Sequence, residues 1–274
     1  MAMKDTPFWA FNCAYLLFLS PVLYCLAAAH LGLDPEAWKA PLLPLEVGAG
    51  SALTSVAGLV LWLAALGAGL RLLLAQLGWK QGWKGPAQHK DDFVRMAYAN
   101  ASLAILARVQ GRLEVSFLLL VTFYAVFFSV LFEMVRHINL EISLDLVANL
   151  RGLWIFVVGL CVLLGVLHAH ARLAFAQGSN FGSAYLGWAA LVLLLQGATQ
   201  ALPPALLGAR EGSPEVRLHV HHWYWAFLAA HCAVFDSALS RNAQALFLGV
   251  YVHGAACFGL EAIFEAGHVN GVKD

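Results

Sequence analysis

Seven runs of predominantly apolar residues divide the chain, at about 8–31, 50–77, 114–135, 152–177, 183–207, 217–239 and 243–265. Each supplies the ~20 residues an α-helix needs to cross a bilayer. None shows the alternating ten-residue pattern of a barrel strand. A helix closes its backbone hydrogen bonds within itself, as hydrocarbon demands. The pattern predicts an all-α fold: a polytopic membrane bundle of seven transmembrane helices forming a single domain over 1–274. No internal repeat or low-complexity tract interrupts it.

Between the second and third runs, Trp79 to Arg112 is more polar and holds Lys80, Lys84, Lys90, Arg95, Arg108 and Arg112. Phe93, Met96, Leu103, Leu106 and Gln110 recur there on roughly one helical face, which predicts an interfacial helix, or an extension of the third span, around 90–112. The density of basic residues assigns this loop to the cytoplasm. Seven alternating crossings then leave ten basic residues inside and six outside, with the carboxyl end outside. In a cytoplasmic loop Asn100 would head an unused sequon, Asn100-Ala101-Ser102. Lys4 and the apolar run through Ala27-Ala28-Ala29 read as a retained signal-anchor helix, because the run exceeds the length of a cleavable signal.

Composition agrees with a membrane protein: 61% of residues are hydrophobic, 12% are charged, and the mean hydropathy is +0.73. Soluble domains carry about 25% charged residues. Lys+Arg and Asp+Glu both total 16, so no basic surplus exists for a nucleic-acid backbone. The bilayer is the expected partner, together with other membrane proteins or further copies of the chain. The five cysteines lie inside apolar runs without a Cys-x-x-Cys pair, which argues against a disulfide framework or a zinc ribbon.

Ionisable residues inside a membrane are costly and mark function, and here they gather in the last two runs. Ser213-Pro214-Glu215 reads as a helix start. Helical steps from there place Glu215, His219, His222, Ala226, Ala229, Ala233, Asp236 and Ser240 on one polar or small stripe. The seventh run carries Gly249, His253, Cys257, Glu261 and Glu265 at intervals of four. Counted from a turn between Arg241 and Asn242, His222 is as deep as Glu261, and His219 is close to the depth of Glu265. Imidazoles and carboxylates on facing helices are the ligand set of zinc, iron or manganese sites in bundles. This predicts His219, His222 and Glu261 as metal ligands near the outer face, with Glu215 or Glu265 as a further ligand or general base. A small-residue packing seam with solvated polar ends is the plainer alternative. A haem held by His231 and His253 is a competing arrangement.

Other chemistries are excluded by residues they would need. No lysine lies mid-span for a retinal Schiff base, and one His-x-His-His does not make the histidine boxes of a membrane desaturase. No nucleophile elbow or phosphate loop occurs in a strand-to-helix context. Three classes of function remain. The first is a metal-dependent membrane enzyme. The second is a proton- or ion-coupled transporter or channel with Asp236 and His253 on its path. The third is an accessory subunit whose stripe is a packing surface.

Overall fold

The computed structural model describes residues 56–79, 84–90, 92, 96, 100, 114–135, 149–183, 185–187, 189–190, 216–218, 222–233, 235–260 and 264–266. The runs expected at 8–31 and, for most of its length, 183–207 lie outside these. The described chain is helical apart from one short strand pair. Its main elements are α1 (Val56–Gln76), α2 (Val115–Met134), α3 (Leu150–Ala176), β1 (Val216–Leu218), α4 (His222–Cys232), α5 (Ala238–Cys257) and β2 (Phe264–Ala266).

Among the described residues three helices are long and apolar enough to cross a membrane: Ala57–Gln76, Val115–Met134 and Leu150–Ala176. They coincide with the second, third and fourth apolar runs. α3 shows most of its length outward, with Trp154, Val158, Val162 and Leu164 all more than half exposed. On a helix of this composition, that surface belongs against lipid.

The sixth and seventh runs differ from expectation. Helical phase cannot be counted from Glu215, because Val216–Leu218 is extended and α4 begins only at His222. The turn before α5 lies at 233–237 rather than at Arg241–Asn242. Ser237, in extended conformation, caps α5 by accepting a hydrogen bond from the Ser240 amide at 3.1 Å. Ser240 is itself buried, and its hydroxyl accepts from the Phe235 amide at 3.1 Å and lies 3.1 Å from His170 Nε2. The end of α3 is thereby joined to the beginning of α5.

α5 is the centre of the bundle, with thirteen of its residues buried. α2 runs parallel to it. Arg241 meets Glu114 at 2.9 Å, Gly249 lies against Tyr124 and Ala125, and Ser129 and Phe132 meet His253. A Cβ at Gly249 would stand 2.8 Å from the Ala125 amide nitrogen, so only glycine lets the two backbones approach so closely. α4 is antiparallel to α5: Gln244 Nε2 donates to Ala230 O at 3.2 Å, and Phe227 packs on Tyr251.

α1 ends at the same end of the bundle as α5. Gly78, at φ 66°, closes α1 in a Schellman turn in which Trp79 N donates to Leu74 O and Gly78 N to Ala75 O. One turn earlier, Arg71 reaches the last carbonyls of α5. Lys84, Asp92, Met96 and Asn100 then mark a retreat along the bundle. Lys84 and Asp92 bond the carboxyl end of α5, Met96 packs at Gly67, and Asn100 bridges Val60 O and Tyr251 Oη. Glu114 stands at the opposite end, beside Arg241. Trp79 and Glu114, which flank the stretch expected as a loop on one side, therefore lie at opposite ends of α5. Asn100 is fully buried with its amide engaged, so its sequon is sterically closed to glycosylation.

Candidate functional site

The carboxyl end of α5 is where charge and histidine converge. A helix end leaves its last carbonyls without intrahelical partners and carries partial negative charge, which favours cations. Here Lys84 Nζ donates to Ala255 O at 3.1 Å, and Arg71 Nη1 donates to Ala256 O and Cys257 O at 3.1 and 2.8 Å. Lys84 also pairs with Asp92 at 2.7 Å, the side chains being 6% and 16% exposed. Asp92 Oδ1 accepts from the Leu260 amide at 2.9 Å. Gly259 permits this closure. It has φ 89°, and a Cβ there would lie 2.6 Å from Asp92.

Just inside this end His253 is buried between α2 and α5. Ser129 Oγ donates to Ala125 O at 2.8 Å, so its lone pair faces His253 Nδ1 at 2.9 Å, and the network assigns the proton to Nδ1. Phe132 stacks on the imidazole with centroids 4.9 Å apart. Cys257 Sγ lies 3.5 and 3.7 Å from the two ring nitrogens. The i, i+4 pair His253–Cys257 of α5 thus meets Ser129 of α2.

Beyond this end β1 and β2 pair antiparallel, with Val216 opposite Ala266, Arg217 opposite Glu265 and Leu218 opposite Phe264. The segment leading into His219–His222 is therefore held beside the one that follows Glu261. Of the expected site residues, Glu215, His219 and Glu261 lie outside the described residues. His222 is described as the first residue of α4, and Glu265 as the central residue of β2. Asp236 sits exposed in the turn before α5, at the other end of the bundle from His253. Arg241 pairs with Glu114. His231 is buried in α4, with Nδ1 2.8 Å from Phe227 O. Among the described residues no three His, Cys, Asp or Glu side chains converge as a metal site would require.

Sequence reasoning assigned no role at this helix end to Arg71, Lys84 or Asp92. The usable signal was Arg71 itself, since a cation inside an apolar run needs an acceptor and helix ends offer carbonyls. Comparison with protein-family models, with curated proteins and with solved structures finds no match.

Proposed function

We propose that the protein is a metal-dependent membrane enzyme whose centre lies at the carboxyl end of α5. His219, His222 and Glu261 are its ligands. The observation that carries this reading is the β1–β2 register, which ties Leu218 to Phe264. His219 directly follows one strand and Glu261 shortly precedes the other, so the two ligand-bearing segments share one end of the bundle. The donor set of two imidazoles and a carboxylate suits zinc, iron or manganese and leaves a coordination position for water. Glu215 or Glu265, on the same two segments, supplies a fourth ligand or the general base. When bound, the metal lowers the pKa of its water towards neutrality.

Elemental analysis of the purified protein tests this directly. Near-stoichiometric metal, lost in His222→Ala and in Glu261→Ala, is the expected result. Folded, metal-free wild-type protein overturns it. That outcome would return the weight to a proton- or ion-coupled transporter, in which His253, bonded across α2 and α5, carries the proton and Asp236 opens the path at the far end.

A further inference from the structure

We infer that the chain crosses the membrane once between Asp92 and Glu114, so that the end bearing β1, β2 and the proposed centre faces the cytoplasm. α2 has 20 residues, about 30 Å of helix, and so spans the hydrocarbon layer. It starts beside Arg241 and ends beyond His253, so α5 covers the same depth. Asp92 is bonded just past the last turn of α5 and Glu114 just before the first turn of α2. Whatever path the chain takes between them, it traverses that thickness.

The contacts of the described residues show the direction of travel. Asp92, Met96 and Asn100 are helical and one turn apart, and they touch Leu260, Gly67 and Tyr251 in that order. Asp92 to Asn100 amounts to about 12 Å of helix, and Leu260 back to Tyr251 to about 13 Å, as expected of a helix antiparallel to α5. Polar residues cross a bilayer where protein rather than lipid surrounds them. Asn100 meets that condition at 0% exposure. Hydropathy overlooks such a crossing because it scores lipid contact.

The crossing also reassigns sides. With it, and with the runs 8–31 and 183–207 taken as spans, alternation leaves Lys39, Arg108, Arg112, Arg172 and Arg241 at the amino end of α5. The other eleven of the sixteen basic residues fall on the side of the site. Short loops rich in Lys and Arg stay in the cytoplasm. The end bearing β1 and β2 therefore faces the cytoplasm, opposite to the outer face expected from seven spans.

The crossing does not depend on the metal reading, and its test is blind to metal content. Ala87→Cys and Asp236→Cys, both at exposed positions, are treated in cells with a membrane-impermeant maleimide, and each labelled peptide is read by mass spectrometry. The expected result is that Asp236→Cys labels in intact cells and Ala87→Cys only after permeabilisation. Both positions reacting from the same side, as seven spans require, overturns the crossing. Ala87→Cys labelling from outside overturns the cytoplasmic placement.

Discussion

Gly249→Ala tests the close backbone approach of α2 and α5. The added Cβ would lie 2.5 Å from Tyr124 Cβ and 2.8 Å from both the Tyr124 carbonyl carbon and the Ala125 amide nitrogen. Carbon atoms pack at about 3.5–4.0 Å, so α2 must retreat by about 1 Å. These atoms belong to the helix backbone or sit next to it, and no rotamer change moves them aside. The retreat stretches the 2.9 Å contact between Ser129 and His253. It also loosens Val121, Ala125, Leu248 and Val252, all buried in the same cluster. Overpacking of this kind costs about 1–3 kcal/mol, and a rigid neighbour puts Gly249 near the upper end. A loss of about 3 kcal/mol is roughly two orders of magnitude in the folding equilibrium. Reversible unfolding in mixed micelles, followed by tryptophan fluorescence, measures it. Gly165→Ala in α3 is the control, because nothing lies within 4 Å of its Cβ. There alanine should be neutral or stabilising by up to about 1 kcal/mol. Equal stability of the two variants would refute the close approach of α2 and α5.

Two further outcomes follow from the ion pairs at either end of α5. Lys84→Met strands the largely buried Asp92 carboxylate and should cost about 3–5 kcal/mol, while adding Asp92→Asn should recover part of the loss in a double-mutant cycle of unfolding free energies. Glu114, just before α2, is held below the usual carboxylate range by hydrogen bonds from Arg241 and Ser116 and by the Arg241 charge. A carboxyl depressed in the folded state adds stability above its ordinary pKa and loses it as pH falls through the lowered value. The stability difference between wild type and Glu114→Gln should thus be present at neutral pH, shrink below about pH 4, and weaken with salt because the pair is exposed. A difference independent of pH would show that the pair contributes through packing alone.

Length and composition alone determined the helices that face lipid. The runs 50–77, 114–135 and 152–177 became α1, α2 and α3 because a segment in hydrocarbon must satisfy its own backbone and present apolar side chains, and both requirements are local. The pairing of the last two segments was also partly legible. Counting outward from Arg241–Asn242 matched the right stretches, and Leu218 and Phe264, partners in the strand pair, stand equally far from Arg241 in the chain. The local structure was not legible. The cap at Ser213-Pro214 suggested helix through Val216–Leu218, yet that stretch is extended because it pairs with Phe264–Ala266, a partner distant in sequence. The turn at 233–237 was overlooked because Ser237 and Ser240 sit within an apolar context that reads as continuous helix. Only the tertiary structure decided where Lys84, Asp92 and Asn100 lie. A polar residue is buried when neighbours from other elements supply its hydrogen bonds, and those neighbours, Ala255 of α5, Leu260 just beyond it, and Val60 and Tyr251 on either side of Asn100, are invisible to any window sliding along the chain.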